Sequence, residues 1–256
     1  MKIFDLPHSG YTIVDAEQPE ILVELRKRVY AFTKQVFELT ESDPNIGLNH
    51  FHKGVEKKSD GEFNSKRVEL ISQITKECDV SELVFRAFET YIFHLLGPDI
   101  LAQKTANLVL QPPGDPNPSE LHRDAPANSP YEVVVWVPMV DCYRTKSMYI
   151  VNAKDSESAL LQCETNPNNW DNFISSSRSK ASNPTVLFGQ ALFFYTGCLH
   201  GSEINREDET RVSFNIRYKS LFAPPGLKSQ ISFFKPFRIS NFTRLGSQLE
   251  VKELLK

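Results

Sequence analysis

The chain has 256 residues, with 29 Lys and Arg against 32 Asp and Glu, a formal charge of −3, and 40% hydrophobic residues. So even a balance speaks against a protein that grips nucleic acid through bulk charge, and no apolar run approaches the ~20 residues that a membrane-spanning helix needs. The first eleven residues hold one Lys and no apolar stretch, and Cys78, Cys142, Cys163 and Cys198 show neither a CxxC nor a zinc-ligand spacing, which reads as a cytoplasmic protein with free thiols and no secretory signal.

The length fits one domain in three stretches. Residues 1–103 read as a helical layer, about 104–220 as a strand-rich core, and 221–256 as a C-terminal extension. From Glu17 to about Thr40, apolar residues recur at helical spacing (Ile21, Leu22, Leu25, Val29, Phe32, Val36, Phe37) with charges between them. Residues 41–49 contain Asp43, Pro44 and Gly47 and read as a loop. A second helix is expected over about Glu62–Thr75. A third starts near Asp79, with Glu82 three residues on as in a capping box, and runs to Leu96, where Gly97 and Pro98 stop it.

After Lys104 the pattern shifts to short β-branched and aromatic runs punctuated by Gly and Pro. Strands are expected at Asn107–Gln111, Val133–Val140, Ser147–Val151, Thr185–Phe188, Ala191–Tyr195 and Arg211–Lys219. Pro112–Ser119 (PPGDPNPS) suits neither helix nor strand. Residues 152–183 are polar, rich in Ser and Asn, and too long for an ordinary hairpin loop. Irregularly spaced short strands point to an antiparallel sandwich or barrel behind a helical front, an α+β chain that is mainly β.

Three separated pieces carry chemistry. In His122-Arg123-Asp124, an extended backbone points residues i and i+2 to one side, so the imidazole and the carboxylate can reach one ion, a pair suited to Fe, Mn or Zn. A surface His and Asp after a loop would give the same triplet. His200 ends a Gly-led apolar run, Gly189 to Ser202, and offers a third ligand from another strand. Arg211 and Ser213 share a face of the next strand. A core-facing Arg is costly unless it meets an anion, and a guanidinium fork suits a carboxylate. Two His and one carboxylate make the facial triad of non-haem Fe(II) oxygenases, which leaves three positions open.

The order HxD, His, Arg-x-Ser resembles the Fe(II)/2-oxoglutarate-dependent dioxygenase superfamily. Val135–Asp141, Ser147–Val151, Gly189–Ser202 and Arg211–Tyr218 resemble successive strands of its phytanoyl-CoA dioxygenase branch, and the proline-rich run before His122 with the long polar insert is similar to bacterial carbohydrate dioxygenases of the streptomycin-biosynthesis type. The resemblance covers roughly residues 107–220. It implies a double-stranded β-helix (jelly roll, cupin-like) with the N-terminal helices packed on the major sheet. It also implies Fe(II) on His122, Asp124 and His200, with 2-oxoglutarate held by Arg211 and Ser213 and O2 as co-reactant. The reaction implied is hydroxylation of a small-molecule substrate, a carbohydrate or natural-product intermediate; Asp124 favours this over halogenation, whose enzymes lack the carboxylate. Asn107 and Gln111, alternating on the strand before the HxD loop, are further candidates for contact with 2-oxoglutarate. Trp136, Tyr149, Trp170 and Arg217 are candidates for the substrate pocket; the plainer readings are core aromatics for Trp136 and Tyr149, a loop anchor for Trp170 and a structural ion pair for Arg217. His50 and His52 lack a third ligand and read as structural. A metal-dependent sugar isomerase or epimerase on the same fold would need the triad but not Arg211, and a non-catalytic sugar-binding jelly roll would need neither.

Overall fold

The computed structural model describes residues 6–55, 60–166, 168–227 and 232–248. In chain order the elements are α1 (Leu6–Ser9), β1 (Tyr11–Asp15), α2 (Pro19–Phe37), α3 (Pro44–Asn49), α4 (Phe51–Val55), α5 (Asp60–Glu77), α6 (Val80–Ala87), α7 (Glu89–Leu96), β2 (Ile100–Gln103), β3 (Asn107–Gln111), β4 (Glu132–Pro138), β5 (Tyr149–Ile150), α8 (Ala153–Thr165), α9 (Trp170–Lys180), β6 (Gln190–Tyr195), β7 (His200–Gly201), β8 (Arg211–Ser220), β9 (Phe234–Arg238) and α10 (Asn241–Gly246).

The α2 helix follows its sequence pattern. Pro19 opens it, and Ile21, Leu22, Leu25, Val29, Val36 and Phe37 are buried along one stripe. The stretch expected as a loop at 41–49 instead contains α3. Asp43 caps that helix by accepting hydrogen bonds from the Asn45 and Ile46 amides, and Pro44 takes the first position. Asp79 caps α6 through the Glu82 amide as expected. The helix does not run to Leu96, because it breaks at the fully buried Phe88. The next helix is capped from outside, where the Glu17 carboxylate accepts from the Thr90 amide at 2.8 Å.

Seven strands form one antiparallel sheet in the order β1-β6-β4-β8-β2-β9, with β3 also on β8. The ten-residue β8 organises it. One edge pairs with β4 along its length, and the other pairs with β2 and then β3. The front of the chain is therefore not purely helical, since β1 and β2 lie within it. The C-terminal stretch is likewise not a mere appendage, since β9 closes against β2. Residues 228–231 and 249–256 of that stretch fall outside the described residues.

Alternation along the strands sorts the sheet's two faces. On β8, Val212, Phe214, Ile216 and Tyr218 are fully buried on one face. Phe85 of α6 meets Tyr218 there, and Phe88 meets Phe193 of β6 edge-on at 5.7 Å. Each such side chain contributes about 1.5–3 kcal/mol through burial. The opposite face of β8 carries Arg211, Ser213, Asn215 and Arg217.

A short second ladder faces that side. It pairs β5 with β7, and isolated bridges extend it to His122 and Ser182. The run expected as a strand at Thr185–Phe188 contributes only the bridge from Val186 to Cys142, and the one at Ser147–Val151 shrinks to the two residues of β5. The polar stretch 152–183 is a pair of helices rather than a loop. Asn152 caps α8 through the Asp155 amide, and Ala159 and Phe173 pack on Val151 and Leu199. Ser156 of α8 also accepts a hydrogen bond from the Leu199 amide at 2.9 Å, which fixes the residue just before His200.

Candidate metal centre

His122 and Asp124 stand on the irregular segment between β3 and β4, and His200 stands on β7. Reciprocal backbone hydrogen bonds, His122 N–H to His200 O at 2.9 Å and His200 N–H to His122 O at 2.8 Å, tie the two histidines together. The Asp124 amide donates to Thr196 O at 3.0 Å, just past the end of β6. Asp124 thus lies on the same side as His122, as the i, i+2 rule requires. Arg123 points elsewhere and lines a separate surface cavity with His8 and Glu157.

Each of the three side chains offers one donor atom within 4.8 Å of the others. Nδ1 of His122 lies 2.8 Å from Glu120 O, and Nδ1 of His200 lies 2.9 Å from Cys198 O. A ring N–H spent on a carbonyl fixes the tautomer and leaves Nε2 with its lone pair, as in metal-ligating histidines generally. Asp124 is 9% exposed. Its Oδ1 accepts from Arg217 Nη2 at 2.7 Å, whereas its Oδ2 is buried, lacks a hydrogen-bond partner and lies 4.0 Å from His200 Nε2. A buried carboxylate oxygen without a donor is costly. Two neutral imidazoles and this oxygen, converging on one point, fit a divalent cation of the Fe, Mn or Zn type.

The electrostatics agree with ligation. Burial, reinforced by the neighbouring His122, pushes His200 down to about 4. Burial would raise the Asp124 carboxyl, but Arg217, then His200 and His122, outweigh it and hold the group below its ordinary value. Both are therefore in the ligating form at neutral pH. The sign for stability follows. Between about pH 6.5 and 4 the unfolded chain binds a proton at His200 that the folded chain refuses, so stability falls as pH falls through this window. Asp124 adds a further loss below its ordinary range. The metal-free protein is expected to lose on the order of 2 kcal/mol from this histidine between pH 6.5 and 4.5. Thermal unfolding against pH checks this, and a profile unchanged by His200→Asn would refute it.

The triad opens into a cavity of about 340 Å³ between the two sheets. Arg211 lines it and is 5% exposed. Its Nε and Nη1 are buried without a hydrogen-bond partner, and burial lowers its pKa. Asn107 and Gln111 also line the cavity, facing Asn215 and Arg211 across the β3–β8 ladder. Gln111 donates to Glu203 O and keeps an unpartnered Oε1. Trp136 lies at the wall, where its indole N–H donates to Ser213 Oγ at 3.1 Å. Ser213 is thus fully buried beneath Trp136 and is not among the lining residues.

Two expected pocket residues lie elsewhere. Tyr149 is buried under the Arg178 guanidinium, which sits 3.6 Å from its ring centroid, because β5 turns that side chain towards α9. Trp170 is 54% exposed, stacks on Phe173 within α9 and does not line the cavity. Arg217 does line the cavity, but its nearest partner is Asp124. His52 pairs with Thr210 at 3.0 Å, and neither it nor His50 approaches the triad. The sequence reading missed Arg67 of α5, Asp115, Ser119, Met148 and Phe194 of the lining. Of these, Met148 and Phe194 lie on expected strands, and Phe194 meets the His200 ring at 4.8 Å.

Among the described residues no helix is long and apolar enough to cross a membrane. No family model matches the sequence, and no curated protein matches it. Solved structures do match. EctD from S. alaskensis with bound Fe superposes with a TM-score of 0.57 at 12% identity, covering 92% of this chain and 84% of that one. ThoJ, a non-heme monooxygenase, superposes in its apo form with a TM-score of 0.55 at 15% identity, covering 94% and 90%. Its nickel complex gives 0.50 at 16%, covering 94% and 91%. The chain therefore shares the mixed helix and antiparallel-sheet fold of these structures, a likeness that lies in the structure and not in the sequence.

Proposed function

We propose that this chain is a non-haem Fe(II)- and 2-oxoglutarate-dependent oxygenase, built on a double-stranded β-helix, that hydroxylates a small polar molecule such as a carbohydrate or natural-product intermediate. The observation that carries the reading is Arg211, a buried guanidinium with two unpartnered nitrogens in the cavity that also holds His122, Asp124 and His200. A metal site alone would suit many enzymes. A buried cation awaiting an anion beside it suits a carboxylate-bearing cosubstrate, and a sugar isomerase or a plain sugar binder has no need for it.

His122, Asp124 and His200 would hold the iron, which supplies the means of activating dioxygen with 2-oxoglutarate as the electron source. The chain's own groups do the rest. Arg211 receives the far carboxylate of 2-oxoglutarate, and Asn107 and Gln111 offer amides along the same wall. Ser213 supports Trp136, which with Val134 and Phe194 forms the apolar lining that excludes water. Polar Asp115, Asn117 and Ser119 line the cavity and suit a hydroxylated substrate better than an acyl chain.

Anaerobic addition of Fe(II) and 2-oxoglutarate to the metal-free protein is expected to produce the visible charge-transfer band of a chelated 2-keto acid. Admission of O2 is then expected to release succinate. Metal uptake with no band would overturn the 2-oxoglutarate assignment.

A further inference from the structure

We infer that Arg217 is a positioning residue that restricts Asp124 to a single metal-ligating oxygen; the inference rests on the oxygenase reading above. Arg217 opposes Val134 in the β4–β8 ladder, and its cavity-side guanidinium lies between two buried carboxylates. Nη2 donates to Asp124 Oδ1 at 2.7 Å, and Nε lies 3.9 Å from Glu132 Oε2. Glu132 is 3% exposed and is itself fixed, its Oε1 accepting from the Ser129 amide at 2.8 Å. The Arg217 backbone amide is held by Gln103 Oε1 at 3.1 Å. The backbone of Arg217 is thus held by Gln103 and its Nη2 is committed to Asp124, while Nε lies near Glu132 without a hydrogen bond.

The two oxygens of Asp124 are consequently unequal. Oδ1 is engaged in a short charge-assisted hydrogen bond. Oδ2 is buried, unpartnered and nearest to His200 Nε2. Three open positions remain beside a triad only if the carboxylate supplies one atom. A carboxylate free to swing would supply two and would close a position that the cosubstrate and dioxygen both need. Arg217 lines the cavity wall, and the side-chain hydrogen bond it makes there, from Nη2, goes to Asp124.

Mn(II) binding to the metal-free protein tests this without turnover. Electron paramagnetic resonance reads occupancy, and water-proton relaxation reads the number of metal-bound waters. About three are expected in the wild type and about two in Arg217→Met. Arg217→Lys, which keeps a donor for Oδ1, is expected to return the count towards three, a rescue that a merely structural role would not give. Equal counts in wild type and Arg217→Met overturn the inference alone. A wild type that takes up no Mn(II) overturns the oxygenase reading and this inference with it. If Arg217→Met does not fold, a crystal structure of the Mn(II)-loaded wild type decides. Oδ2 on the metal with Oδ1 on Arg217 is the expected result, and a bidentate Asp124 overturns it.

Discussion

Arg211→Ala is expected to weaken 2-oxoglutarate binding by roughly two orders of magnitude, the equivalent of about 3 kcal/mol for a charge-assisted, two-pronged contact. Arg211 sits on β8 at 5% exposure with Nε and Nη1 unpartnered. The protein bears the cost of burying that charge before any ligand arrives, so the contact made on binding is not offset by a fresh desolvation of the arginine. The same reasoning predicts an unusual stability result. Without 2-oxoglutarate the variant should unfold no earlier than expected for lost packing alone, because a buried unpaired cation has been removed. The upward shift in unfolding temperature expected from 2-oxoglutarate in the metal-loaded wild type should vanish in the variant. Arg211→Lys should recover only part of the affinity, since an ammonium cannot present the planar fork. Thermal unfolding with and without 2-oxoglutarate, in the presence of Mn(II), is the measurement. An undiminished ligand-induced shift in Arg211→Ala would remove Arg211 from the site.

Asp124→Ala carries the second large effect. It leaves two neutral imidazoles as the only ligands, so divalent-metal affinity is expected to fall by roughly three orders of magnitude, or about 4 kcal/mol. The loss has a structural companion. Arg217 then keeps only Glu132, at 3.9 Å, as its carboxylate partner, and a buried charge stripped of its closest partner is destabilising. Metal affinity and stability should therefore fall together, whereas His122→Ala, whose ring contacts the Glu120 carbonyl and no charged group at hydrogen-bond distance, should lower affinity with little change in stability. Titration with Mn(II) or Co(II) and a melting curve separate the two. Retention of affinity within about tenfold in Asp124→Ala would show that the metal, if any, binds elsewhere.

Local chemistry made the triad and its neighbours legible. Residues two apart on an extended segment share a side, which put His122 with Asp124 and turned Arg123 away. The same alternation on β8 placed Arg211, Asn215 and Arg217 together, and the register with β3 brought Asn107 and Gln111 opposite. Where a side chain's neighbours come from distant segments, the same rules gave the wrong surroundings. Tyr149 obeyed its strand but faces α9 and Arg178. Trp170 departs for a local reason, since it stacks on Phe173 one helical turn on and does not line the cavity. Ser213 lies on the cavity face of β8, but the Trp136 indole covers it.

The sequence by itself determined the helical stripe of α2, the cap at Asp79, the strands β3, β6 and β8, and the shared side of His122 and Asp124. All of these depend on periodicity or on a hydrogen bond within a few residues. It did not determine that β1, β2 and β9 join the main sheet, since these strands have only four or five residues each and owe their existence to the partners they find. Nor did it determine that 152–183 is helical. The apolar residues of that segment are few, and only packing on Val151 and Leu199 makes the two helices worth forming. The tertiary structure alone decided that Arg217 binds Asp124 and that Arg211 is left without a partner. A side chain's local pattern states which way it points, whereas what it meets there depends on segments that only the tertiary packing brings close.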